Sequence, residues 1–133
     1  MSSTPESTAP RPDDAVLELD DLCKRYGKLT AVDGLSFSLR PGELVGFIGP
    51  NGAGKSSTMR CIMGLLEPDG GSVRVAGSEV LRDPVRARAA VGYVAQELEI
   101  YRYLSGEELL RFVAAVRGMD PAELKREFGK DIT

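Results

Sequence analysis

The stretch Gly49-Pro50-Asn51-Gly52-Ala53-Gly54-Lys55-Ser56 packs three glycines, a lysine and a hydroxyl into eight residues. It fits G-x-x-x-x-G-K-[ST] without a mismatch, the pattern of a loop that cradles phosphates. The residue types suit that chemistry. Triphosphate oxygens sit close to backbone, and a side chain at Gly52 or Gly54 would obstruct the approach. Successive loop N–H groups and the positive end of a following helix face the anion. Lys55 brings a flexible point charge to the β- and γ-phosphates, and the Ser56 hydroxyl can coordinate Mg²⁺ bridging the same oxygens.

Such a loop works only between a strand that leads in and a helix that leads out. In "ELVGFIG", Leu44, Val45, Phe47 and Ile48 make a nearly continuous apolar run, which predicts a strand covered on both faces. "KSSTMRCIMGLL" predicts a helix with Gly64 near its end. Upstream, "VLELDDLCKRY" and "LSFSL" alternate apolar and polar residues as half-buried strands do. Downstream, "GSVRVAG" predicts a short strand with Val73 and Val75 on one face, and "VGYVAQ" another apolar strand ending at Gln96. Between them, Asp83 as N-cap and Pro84 in first position start a helix over "DPVRARAA". Residues 1–14, "MSSTPESTAPRPDD", hold almost no apolar side chains and predict a disordered lead-in.

Composition bounds the rest. The 133 residues suffice for one domain with a core, and 42% apolar with 28% charged residues is ordinary for a globular protein. A net charge of −3 and no basic block argue against a nucleic-acid partner; Arg82, Arg86 and Arg88 read as a solvated helix face. Cys23 and Cys61 have no companions at metal-ligand spacing, and histidine is absent, so two buried, inert thiols in a reducing compartment are expected. No apolar run approaches 18 residues, so any membrane role comes through a partner.

GTPases and small-molecule kinases carry a similar loop near the N-terminus, but here strand-like sequence precedes it and no N-K-x-D motif follows. "AVDGLSFSLRPGELVGFIGPNGAGKSSTMRCIMGLLEPDGGSVRVAG" resembles the ATP-binding-cassette (ABC) ATPase family along its length. The resemblance implies a P-loop NTPase of α/β class: an antiparallel β part plus a parallel core sheet flanked by helices, with the start of the helical subdomain, as an incomplete domain. It divides the chain into the nucleotide-binding core, 15–98, and the start of that subdomain, 99–133. It implies ATP and Mg²⁺ as ligands. The cofactor-binding set becomes Tyr26, Gly49, Asn51, Gly52, Ala53, Gly54, Lys55, Ser56 and Ser57. Tyr26, 29 residues before the lysine, matches the aromatic that stacks on adenine. Gln96, 41 residues after it, matches the Q-loop glutamine, which touches Mg²⁺ and the attacking water. The metal ligands are then Ser56 and Gln96.

"LSGEE" at 104–108 is close to the family signature LSGGQ. It stands nine residues past Gln96, where the family leaves several tens, and Glu107 and Glu108 would repel a phosphate. A local reading accounts for each residue. Ser105 and Glu108 form the S-x-x-E capping box, and Leu104 and Leu109 the hydrophobic staple. Leu109, Phe112, Val113 and Val116 follow one helix face and Gly118 ends it. Asp120 and Pro121 then start a second helix.

No signature, no apolar strand ending in Asp-Glu and no switch histidine follow. The resemblance therefore implies the first half of an ABC transporter ATPase subunit, contributing to the hydrolytic machinery but lacking the carboxylate that activates water. A truncated record of a longer protein, or a broken gene, is the expected cause. Implied partners are a membrane permease subunit and a second ABC ATPase domain, at the cytoplasmic face of the membrane, with a slight leaning to export. A non-hydrolysing nucleotide-binding module and a soluble non-transport ABC protein are the alternatives.

Overall fold

The computed structural model describes residues 15–50, 52, 54–96 and 103–128. They divide into two compact units, one running to Tyr93 and one starting at Val94. The disorder expected for 1–14 and the boundary expected at 98/99 lie outside the described residues.

The first unit is built on a four-stranded antiparallel sheet in the order β2-β1-β3-β4, from β1 (Leu17–Tyr26), β2 (Leu29–Leu39), β3 (Gly70–Val75) and β4 (Ser78–Glu79). β1 and β2 form a hairpin closed by a two-residue turn between Tyr26 and Leu29, in which Gly27 takes φ +57°. A glycine in that place suits the tight turns that match strand twist. β1 does not keep strict alternation: Leu19 and Leu22, three residues apart, are both buried. A register shift between them, with Asp21 at φ +50°, supplies the extra residue that returns Leu22 to the core side. The Asp21 amide is satisfied by Ser36 Oγ at 2.8 Å.

Helix α1 (Lys55–Ile62) covers this sheet through Thr58, Cys61 and Ile62, which join Leu19, Leu22, Val32, Val73, Val75 and Val80 in the core. It is shorter than the apolar pattern predicts. It ends in a Schellman turn at Gly64 (φ +63°), where Leu65 N–H donates to Arg60 C=O at 2.9 Å and Gly64 N–H to Cys61 C=O at 3.0 Å. Helix α2 (Pro84–Ala89) starts as expected, with Asp83 Oδ1 accepting from the Arg86 amide at 3.2 Å.

Two expected strands are not formed. Residues 44–48 and 91–96 are not in strand conformation, and Leu44 and Ile48 are 99% and 98% exposed rather than covered on both faces. The physical difference lies in how partners are found. The antiparallel sheet needs only a two-residue turn for its first pairing, whereas a parallel strand needs a partner brought by a long crossover. Among the described residues no strand lies against 44–48. Phe47 anchors that segment, edge-on to Phe37 of β2 with ring centroids 5.4 Å apart. The cysteines are free, but only Cys61 is buried; burial pushes its thiol up. Cys23 is half-buried, its Sγ accepting from Gly34 N–H at 3.3 Å and donating to Asp21 C=O at 3.4 Å.

The second unit contains α3 (Gly106–Val116) and α4 (Pro121–Phe128). The "LSGEE" segment is the start of α3, with both halves of the capping box in place. Glu108 N–H donates to Ser105 Oγ at 3.3 Å, and Ser105 N–H to Glu108 Oε2 at 2.8 Å. The Ser105 amide first, and then the Ser105 hydroxyl, which also donates to Oε2 at 2.8 Å, hold the Glu108 carboxyl below its usual range. α3 ends in a second Schellman turn at Gly118 (φ +70°), with Met119 N–H on Ala114 C=O at 2.9 Å. Asp120 Oδ1 accepts from the Ala122 amide at 2.7 Å to start α4. Of the apolar face expected on α3, Phe112, Val113 and Val116 are exposed, and Ala114 is the buried residue. An apolar groove of about 200 Å³ runs between the two helices beside Ala114, Met119 and Leu124.

Candidate functional site: a phosphate loop with a flanking tyrosine

The loop is held from three directions. Phe47 fixes its entry on β2. At its exit, Gly54 takes φ +84° as the residue preceding α1, and a Cβ there would lie 2.0 Å from the Ala31 carbonyl oxygen. Glycine is therefore required by the packing of loop on strand, not by ligand approach alone as the sequence suggests. Thr58, unremarked in the sequence, is the third tie: buried in α1, it sends both its amide and its hydroxyl to the Gly54 carbonyl, each at 2.9 Å. Its place three residues after the motif lysine, on the face turned to the strands, is the signal that marks it.

Gly52 differs from Gly54. Its φ is +85°, yet a Cβ there would meet nothing within 4 Å. The space above it is open, as close approach of a ligand to backbone requires. Asn51 and Ala53 lie outside the described residues.

Lys55 Nζ donates to the carbonyls of Gly49 and of Pro50, the latter at 2.9 Å. The ammonium thus bridges the loop's first two residues and stands at its mouth. In an α-helix the first amides have no intrahelical acceptor; here those belong to Lys55, Ser56 and Ser57, and the ladder begins with Thr58 on Gly54. No acidic side chain occupies the first turn of α1. A cation, the N-terminal amides and the helix dipole therefore carry the same sign, which suits a polyanion. Ser56 is exposed at this end, a hard oxygen donor of the kind Mg²⁺ takes.

Tyr26, at the end of β1, is brought to this site. Its phenol oxygen lies 3.1 Å from Ser57 Oγ, and 46% of its surface is open. Lys24 Nζ stands 5.7 Å from the ring centroid. Lys24 in turn donates to Glu67 C=O at 2.8 Å and pairs with Asp69 Oδ2 at 3.2 Å. The Arg25 amide, then Lys24, hold the Asp69 carboxyl below its usual range. Gln96 belongs to the second unit and is exposed there. The structure thus groups Tyr26, Gly49, Gly52, Gly54, Lys55, Ser56 and Ser57 within one unit, with Gln96 in the other.

The family model described as ABC transporter matches residues 32–131, most of the chain. The chain belongs to the ABC transporter family. It is similar to the linearmycin resistance ATP-binding protein LnrL of Bacillus subtilis (strain 168), 40% identical over 111 residues that make up 84% of this chain and 36% of that protein. It is likewise similar to the Nod factor export ATP-binding protein I of Paraburkholderia xenovorans (strain LB400), 48% identical over 83 residues, 62% of this chain and 27% of that protein. Among solved structures, an ATP-binding subunit of an ABC transporter superposes with a TM-score of 0.74 at 35% identity, covering 84% of this chain and 46% of that one. The fold is accordingly part of the P-loop ATPase domain of this family. The chain spans between 27% and 36% of the length of these two curated relatives.

Proposed function

We propose that this chain binds Mg-ATP through the 49–57 loop, as part of the ATP-binding subunit of an ABC transporter. The observation that carries the reading is the convergence of Lys55, the first amides of α1 and the Ser57-tethered ring of Tyr26 on one open mouth. In this reading Lys55 exchanges its Gly49 and Pro50 carbonyls for β- and γ-phosphate oxygens. Gly52 lets the backbone close on the phosphates, and Tyr26 stacks on the adenine. Ser56 would hold Mg²⁺, which would neutralise charge on the phosphate oxygens when bound.

Hydrolysis is assigned to a larger assembly. A second ABC ATPase domain and a membrane permease subunit are the partners, on the cytoplasmic face of the membrane. None of the described helices is long and apolar enough to cross a membrane. Two relatives are named for linearmycin resistance and for Nod factor export, which favours outward transport.

Two measurements on the same protein test this: equilibrium binding of a fluorescent ATP analogue and release of inorganic phosphate. The expected outcome is saturable, Mg²⁺-dependent binding without turnover. Phosphate release that follows protein concentration through purification would overturn the division of labour; no binding at any concentration would overturn the reading.

A further inference from the structure

We propose that Lys24 is a positioning residue for base recognition: it holds one face of the Tyr26 ring, so that a purine stacks on the other. The inference rests on the reading of Tyr26 as the stacking ring. Lys24 and Tyr26 stand two residues apart on β1, across a register shift in its pairing with β2, and the Lys24 ammonium lies over the Tyr26 ring. The Nζ-to-centroid distance of 5.7 Å lies within the ~6 Å range over which an ammonium is attracted to an aromatic face.

What separates this from a chance surface contact is that the ammonium is itself fixed. Its side chain is only 13% exposed. It donates to Glu67 C=O at 2.8 Å and pairs with Asp69 Oδ2 at 3.2 Å, and that same carboxylate oxygen accepts from the Arg25 amide at 2.7 Å. A free lysine would spend rotamer entropy to sit over a ring; this one is already ordered by two oxygen partners. One of those partners is a carboxylate, which offsets the charge of the ammonium. At the far end of the ring, the phenol oxygen is held 3.1 Å from Ser57 Oγ, next to the motif lysine and serine. The ring is thereby constrained at its face and at its tip before any base arrives, which lowers the ordering cost of stacking.

The test compares ATP with inorganic tripolyphosphate, which offers the phosphates without a base, in equilibrium titrations of the full chain. Lys24→Met should weaken ATP binding about two- to fivefold, the size of an exposed cation–π contact, and leave tripolyphosphate unchanged. Lys24→Arg, which restores a cation over the ring, should recover ATP. In a Tyr26→Ala background, Lys24→Met should cost nothing further, because the partner through which it acts is gone. An equal loss for ATP and tripolyphosphate would overturn the proposal, as would a lowered melting temperature without a base-selective loss, or a further ATP loss in the Tyr26→Ala background. If Tyr26→Ala itself binds ATP as the unmodified chain does, the stacking reading fails and this inference falls with it.

Discussion

Lys55→Ala is expected to weaken ATP binding by about tenfold to a hundredfold, the consequence of removing charge-assisted hydrogen bonds each worth about 1.5–3 kcal/mol. The loss has two sources. Lys55 is the cation at the loop mouth, and its Nζ also ties the Gly49 and Pro50 carbonyls together. Without it the loop loses both its point charge and a brace that presents its amides to the phosphates. Stability should hardly change, because these carbonyls are exposed to water that can replace the ammonium. Titration with ATP beside a thermal melt separates the effects. A variant with an unchanged melt and unchanged affinity would remove Lys55 from the site.

The second large effect is on the fold, and it is expected to differ between two glycines of one loop. Gly54→Ala forces an L-residue to φ +84° and drives a methyl into the Ala31 carbonyl, 2.0 Å from its oxygen. The left-handed conformation alone costs about 1–2 kcal/mol. Overpacking against β2 adds about 1–3 kcal/mol. That is a large part of a small domain's typical stability of about 5–15 kcal/mol. Gly52→Ala carries the same conformational strain at φ +85° but meets nothing within 4 Å. It should cost about 1–2 kcal/mol in stability, and act mainly by placing a methyl where the phosphates approach. Denaturant midpoints and ATP titrations of the pair therefore move in opposite order: Gly54→Ala hurts the fold more, Gly52→Ala hurts binding more than its stability loss explains. Equal denaturant midpoints for the two would contradict the packing of Gly54 on β2.

How legible was this in the sequence? Signals that act over a few residues came through. The capping box of Ser105 and Glu108, the Asp83–Pro84 and Asp120–Pro121 starts, and the stops at Gly64 and Gly118 each depend on local hydrogen bonds, and each is present. The alternation of Val73 and Val75 likewise placed β3. The hairpin turn at Gly27 and the bulge at Asp21 were less visible, because "VLELDDLCKRY" reads as one strand unless the three-residue spacing of Leu19 and Leu22 is noticed. Apolar content at 44–48 and 91–96 did not translate into strands, since composition says that a segment can be covered, not that a partner lies beside it. At the site, the loop motif is read from spacing alone. The second function of Gly54, the brace of Thr58 and the Tyr26–Ser57 contact depend on β1 and β2 folding back across α1, a long-range event that no local pattern encodes.

In the proposed function, one of two serine-containing helix starts binds phosphate and the other is only a cap. Amide chemical shifts of the isotopically labelled chain, recorded as Mg-ATP is added, test both at once. The largest changes are expected at Gly52 and Gly54–Ser57, with smaller ones at Tyr26, and none along Ser105–Glu108 or the α3–α4 groove. Shifts concentrated at Ser105–Glu108, with residues 52–57 silent, would contradict it.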